Sequence, residues 1–396
     1  MGKFQLDKIQ ENIRSMNFDG WLFYDFRGSN ELALNILDIP KETHLTRRFY
    51  YFIPKEGTPV KIVNSIEAGH LDHLPGEKLQ YSSHASLSEH LGSILKNVKN
   101  IAMEYSPLNA LPYVSKVDAG TIEQINSFGV NIKSSADLIS LFDAVWTKEQ
   151  YGNNKPVAEA LTDIVDDSFS FIKDNILKGN TITEYDVQQF ILHQFEDRGY
   201  ITDSPPIVGV NANSANPHYT PSKDVNKLIK KGDFVLIDLW AQINIKDAVW
   251  SDITWNGYVG DSVPERYANI FNIVASARDA AFNLVQSKFK EKKEVRGFEV
   301  DDAARKIISE AGYGEYFIHR TGHSITTDLH GTGAHMDDYE TKDERLLLPS
   351  SSFSIEPGIY LTGDFGVRSE IDVFIFSDGH VESTGKIQEK IVAILK

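Results

Sequence analysis

Apolar residues recur at helical spacing at Leu6, Ile9, Ile13 and Met16, and the run Gly20-Trp-Leu-Phe-Tyr that follows has the length of a short buried strand. Arg48-Phe-Tyr-Tyr-Phe-Ile, Pro59-Val-Lys-Ile-Val and Ile101-Ala-Met-Glu-Tyr are further strands by the same reading. Alternation of short helices and strands over the first 145 or so residues predicts an α/β domain without evident chemistry. Between Thr147 and Lys155 the chain turns polar and irregular, so the boundary is placed there, dividing residues 1–146 from 147–396.

Beyond it the helical periods lengthen. Val157, Ala160, Leu161, Ile164, Val165, Ile172 and Ile176 form one apolar stripe, with Pro156 in its first turn. Thr181-Ile-Thr-Glu184 reads as a capping box opening a second helix that stops at Gly199, and Ser262-Val-Pro-Glu265 as one opening a third. A fourth follows near Val300 and ends at Gly312. Strands are expected over Asp233 to Trp240, Val249 to Trp255, Ser352 to Tyr360 and Val367 to Ile375, which makes the second domain α+β with a mostly antiparallel sheet.

Composition narrows the function. Forty basic residues against 56 acidic ones give a net charge of −16, a field that repels nucleic-acid backbones. No apolar run approaches the ~18 residues of a membrane span, and the N-terminal Met-Gly-Lys-Phe-Gln-Leu-Asp lacks an export-type stretch, so a cytoplasmic protein without membrane or nucleic-acid partners is expected. The chain has no cysteine. Disulfides, thiolate catalysis and Cys-ligated metals are excluded, and any metal site must use His, Asp and Glu.

Acids interrupt the apolar strands of the second domain. Asp238 breaks Phe-Val-Leu-Ile, and Asp252 sits between Trp250 and Ile253. A hairpin turning within Ile243 to Asp247 would set these two aspartates opposite one another, and one turning at Thr362-Gly363-Asp364 would do the same for Glu356 and Glu370. Like charges opposed in a half-buried sheet need a cation or a shared proton. His319, His323 and His330, three histidines within twelve positions, offer neutral ligands nearby. Four carboxylates and an imidazole suit two hard or borderline divalent ions, whose chemistry is hydrolysis. No His-Glu-x-x-His, Gly-x-Ser-x-Gly or Gly-x-x-x-x-Gly-Lys motif supports a competing enzyme class.

These residues resemble the "pita-bread" metallopeptidases that include aminopeptidase P, prolidase and methionine aminopeptidase. The first domain resembles the N-terminal domain of aminopeptidase P, prolidase and creatinase. Five ligand positions of that family occur in order: Asp238 in Leu-Ile-Asp-Leu, Asp252 in Ser-Asp-Ile-Thr, His323 in Thr-Gly-His, Glu356 in Ile-Glu-Pro-Gly and Glu370 in Val-Arg-Ser-Glu. The resemblance implies that Asp252 and Glu370 bridge two divalent metals, with Mn²⁺ first and Co²⁺ or Zn²⁺ as alternatives. Asp238 would complete one site, and His323 with Glu356 the other. It further implies that His218, His319 and His330 hold substrate and stabilise the tetrahedral intermediate, alongside Glu356 in catalysis, and that Arg368 orients the metal-ligating carboxylates. The implied function is hydrolysis of the bond before proline in Xaa-Pro peptides by a homodimer, as aminopeptidase or dipeptidase. A creatinase-like amidinohydrolase and a catalytically silent binding protein of the same fold are the alternatives. Three departures lie close to the ligand motifs and are expected near substrate: the fourteen-residue separation of the aspartates, Trp255, and the sequence Gly-His-Ser324-Ile-Thr326.

Overall fold

The computed structural model describes residues 4–396, which form two compact units meeting in sequence between Asp143 and Ala144. The first unit is built on one six-stranded sheet, in the order Glu77–Tyr81, Val60–Asn64, Phe49–Pro54, Gly20–Asp25, Asn100–Met103, Asn131–Ser134. Gly20–Asp25 runs antiparallel to Phe49–Pro54 and parallel to Asn100–Met103. Its apolar run from Trp21 to Tyr24 follows from burial on both faces. Trp21 and Phe23 enter one apolar cluster with Tyr51 and Ile53, while Leu22 and Tyr24 enter another with Tyr50 and Phe52.

The second unit has its longest ladder between Phe234–Ile243 and Ser251–Tyr258, antiparallel, with Ile207–Val210 alongside. A second sheet pairs Ser352–Ile355 with Ile371–Ile375, and a separate two-stranded ladder pairs Gly358–Leu361 with Phe365–Arg368. Alternation along the long ladder decides where the site can be. Odd-numbered Ile237, Leu239, Ile253 and Trp255 pack into one cluster with Val157, Leu161 and Val165 of the helix Lys148–Lys178. Even-numbered Asp238, Trp240, Asp252 and Thr254 are left for the opposite face. Among the described residues no helix is long and apolar enough to cross a membrane.

Three helix starts differ from the sequence expectation. Lys148–Lys178 begins within the stretch read as a linker, because Thr147 and Gln150 form a capping box, and this puts Pro156 inside the helix. Its ring faces the carbonyl four residues back, that of Gly152. The helix Glu184–Asp197 is capped by Thr183 with Asp186, two residues later than expected, which frees Glu184 for another role. Glu265–Lys290 follows Pro264 with no side-chain cap.

Candidate metal centre and active site

The long hairpin turns one step later than the sequence arithmetic places it. Asp238 pairs with Thr254, and Asp252 with Trp240, so the two aspartates are diagonal neighbours on one face and not directly opposed. The tip that sets this register includes Asp247 in the left-handed region, at φ 59°. The second hairpin turns at Gly363, whose φ of 83° suits a residue without Cβ. Ile359 pairs with Val367 before the break and Ile355 with Ile371 after it, so Glu356 and Glu370 occupy equivalent positions where one ladder ends and the other begins. There the backbones part: the Glu356 N–H donates to the Thr321 carbonyl and the Glu370 N–H to the Thr254 carbonyl. The second bond ties Glu370 to the strand that carries Asp252.

These elements converge on a cavity of about 590 Å³ lined by Asp238, Asp252, His323, Glu356, Glu370, Arg368, His218 and His330, among others. Asp252, His323 and Glu370 each present a ligand atom within 4.8 Å of the other two. His323 Nε2 lies 3.5 Å from Glu356 Oε1 and 3.7 Å from Asp252 Oδ2. Its Nδ1 faces the Ser324 carbonyl at 3.2 Å, which can only accept, so the proton sits there and Nε2 turns a lone pair toward the carboxylates. Backbone proximity holds this histidine in place: a Cβ on the preceding Gly322 would come 2.0 Å from the Ser354 carbonyl oxygen.

Asp238 instead pairs with Arg368 Nη2, and its Oδ1 lies 3.1 Å from Thr254 Oγ1. Thr254 accepts from Arg368 Nε at 2.9 Å and lies 2.7 Å from Glu370 Oε2, so its single hydroxyl proton goes to the shorter partner. Thr254 thus links all three, a role the sequence did not single out. Asp372 was missed as well. It is buried behind the site, and its Oδ2 accepts from the Asp252 backbone N–H at 2.8 Å.

The electrostatics need a positive charge. Burial, and then the neighbouring acids, push the Asp252 and Glu370 carboxyls well above the usual range. Burial raises Glu356 to about 7 and raises Asp238 against the pull of Arg368. Burial also keeps His323 neutral, so among the lining residues Arg368 is the guanidinium set against four acids. Asp252 Oδ1 and Glu370 Oε1 are buried and accept no hydrogen bond among the described residues. Two orphaned carboxylate oxygens beside a neutral imidazole lone pair form a donor set that fits divalent cations.

The auxiliary histidines separate. His218 and His330 line the cavity, and the His330 ring stands edge-on to His323 with centroids 4.4 Å apart. His319 is not among the lining residues. Its Nδ1 faces the Arg320 carbonyl at 2.7 Å, and its Nε2 is 2.8 Å from the Tyr360 hydroxyl, which in turn is 3.4 Å from Arg368 Nη1. Burial first, and the Arg368 guanidinium second, hold its imidazole well below the ordinary range. Trp255 departs from the expectation of a place near substrate, because its strand position turns it to the opposite face, into the helix-packed cluster. His218 owes its position to Glu184, fully buried, which accepts from the Val210 and Lys227 N–H groups at 2.7 Å, from Asn213 Nδ2 and from the Tyr219 hydroxyl at 2.6 Å.

Comparison with known proteins gives the family and the fold. The sequence profile of metallopeptidase family M24 matches residues 157–376. An uncharacterized peptidase of Staphylococcus aureus (strain MRSA252) is 28% identical over 259 residues, 65% of this chain and 67% of that one. The crystal structure of dipeptidase PepE from Mycobacterium ulcerans superposes with a TM-score of 0.70 at 20% identity, covering 98% of this chain and 96% of that one. A recombinant prolidase from Thermococcus sibiricus superposes with a TM-score of 0.60 at 26% identity, covering 98% and 97%. The fold is that of the prolidase-type pita-bread enzymes, an α/β N-terminal domain followed by the α+β domain that carries the acids. With the family profile spanning more than half of its length, the chain belongs to metallopeptidase family M24 and is a peptidase.

Proposed function

We propose that the protein is a dinuclear-metal Xaa-Pro peptidase that hydrolyses the bond before proline in short peptides. The observation that carries this reading is the cluster of Asp252, His323 and Glu370, whose ligand atoms lie within 4.8 Å of one another, together with the orphaned oxygens Asp252 Oδ1 and Glu370 Oε1. Asp252 and Glu370 would be shared between two cations, with Asp238 holding one and His323 with Glu356 the other. Divalent cations held there supply Lewis acidity to water and to the scissile carbonyl.

The chain's own groups do the rest. Glu356 is the most accessible of the four acids, its side chain 15% exposed against 8% for Asp238 and 7% for Asp252. It takes a proton from the attacking water and delivers it to the proline nitrogen as the C–N bond breaks. His218 and His330, on the cavity wall, donate to the carbonyl oxygen as charge develops on it. His319 acts from behind, steadying Arg368 through Tyr360. The family name of the Thermococcus sibiricus relative, a prolidase, supports proline at the leaving position. A cytoplasmic homodimer working with Mn²⁺ belongs to the same proposal.

The test is a panel of Xaa-Pro dipeptides, Xaa-Pro-containing tripeptides and matched Xaa-Ala peptides, assayed with Mn²⁺, Co²⁺ or Zn²⁺. Hydrolysis before proline at rates well above the alanine series is expected. Inertness on every Xaa-Pro peptide with each metal overturns the reading.

A further inference from the structure

The cavity that holds the acids is also lined by two indoles, Trp240 and Trp250. Trp240 stands opposite Asp252 in the ladder, and Trp250 lies just ahead of the strand that carries Asp252. Both line the cavity while being only 9% and 5% exposed. Each indole N–H is already engaged: Trp240 Nε1 donates to Asp203 Oδ1 at 2.7 Å, and Trp250 Nε1 to the Thr327 carbonyl at 3.0 Å. What the indoles offer a ligand is ring surface. Two exposed carboxylates, Asp203 and Asp328, line the same cavity. Asp203 Oδ1 also accepts from Ser204 Oγ at 3.0 Å, which fixes the carboxylate and leaves Oδ2 without a partner among the described residues. No lysine lines this cavity, and its single arginine, Arg368, is committed to Asp238 and Thr254.

We propose that this wall of the cavity is a subsite selecting a cationic side chain, lysine or arginine, on the residue whose carbonyl is attacked; the inference rests on the peptidase reading above. Aromatic faces that hold an alkyl stem, with acids on the same cavity wall, match the chemistry of these side chains. The substrate's α-ammonium group does not compete for this position. It sits two bonds from the attacked carbon and therefore beside the buried acids, whereas Asp203 is tethered to the Trp240 indole N–H. Two indoles alone would favour leucine or phenylalanine, and the acids reverse that order.

The experiment compares Lys-Pro with norleucine-Pro, and Lys-Ala with norleucine-Ala, whose side chains share a stem and differ in the ammonium group. In parallel, titration calorimetry compares lysinamide with norleucinamide, which requires no turnover. A preference for lysine of roughly tenfold in kcat/KM and in affinity is expected. It should shrink toward unity in Asp203→Asn and in Asp328→Asn, and weaken with added salt. Equal use of both side chains by the unmodified protein, or a lysine preference unmoved by both substitutions, overturns the proposal. If no dipeptide is cleaved the peptidase reading falls, and the calorimetric ratio still decides whether the subsite exists.

Discussion

The backbone N–H of Asp252 donates to the carboxylate of Asp372 at 2.8 Å, so one buried acid that faces the cavity is held by another that does not. Burial pushes the Asp372 carboxyl well above its usual range, and its Oδ1 accepts no hydrogen bond among the described residues. The acceptor is needed more than the charge. Asp372→Asn keeps an acceptor for that N–H and should retain most metal affinity. Asp372→Ala should weaken metal binding about 10- to 100-fold and cost about 1–3 kcal/mol for the unsatisfied donor. Metal titration calorimetry and urea unfolding of both variants check this, and equal behaviour of the two would count against the positioning role.

Glu184 anchors the segment that carries His218. Glu184→Ala should destabilise by about 3 kcal/mol or more, because several buried donors lose a charged acceptor together. Tyr219→Phe removes a single bond, to Glu184 Oε2, and should cost about 1 kcal/mol. Through His218 it should also slow turnover without altering metal content. Urea unfolding, metal analysis and steady-state kinetics on Tyr219→Phe separate these effects.

Glu104 makes the N-terminal unit sensitive to pH. It is fully buried, accepts from Trp21 Nε1 at 2.7 Å, Asn30 Nδ2 at 2.8 Å and Ser135 Oγ at 3.2 Å, and burial raises its carboxyl to about 7 against those bonds. The folded unit therefore keeps a proton that the unfolded chain loses near the ordinary carboxyl value of 4.5. Stability is fully present below that value and is lost as pH rises through about 7, by an amount on the order of 3 kcal/mol. Urea midpoints measured from pH 4 to pH 8 should fall over this window in the unmodified protein and stay flatter in Glu104→Gln. Identical slopes would contradict the assignment.

His330 and Glu370 should fail in different ways. His330→Ala should leave metal content near normal while lowering turnover about 100-fold, because its ring lines the cavity beside His323 without belonging to the cluster of ligand atoms. Metal analysis of the purified variant beside its kcat decides, and loss of metal from His330→Ala would contradict the placement.

Much of this arrangement was legible in the sequence because acids inside apolar strands are costly and so conspicuous. Gly363 identified the second hairpin's turn, and the observed ladders keep Glu356 and Glu370 in register across it. The first hairpin was displaced by one step in its centre, since nothing in Ile243 to Val249 reveals which residue takes the left-handed conformation. That step moved Asp252 from Asp238 to Trp240, and with it hid the indole wall. Trp255 looked close to substrate because it follows Asp252 in sequence, yet an odd offset along a strand reverses the face. Glu184 resembled a capping residue, and only the fold brings the N–H groups of Val210 and Lys227 to it. His319 carried no sign of Tyr360, which is 41 positions away.

Calorimetric titration of metal-free protein with Mn²⁺, alongside Glu370→Gln, tests the central claim most directly. A carboxylate shared by two cations belongs to both, so its replacement should weaken both binding events and abolish peptide hydrolysis. The account predicts two equivalents of metal for the unmodified protein and loss of tight binding at both sites in the variant. Two equivalents bound with unchanged affinity by Glu370→Gln, or no binding by the unmodified protein, would contradict it.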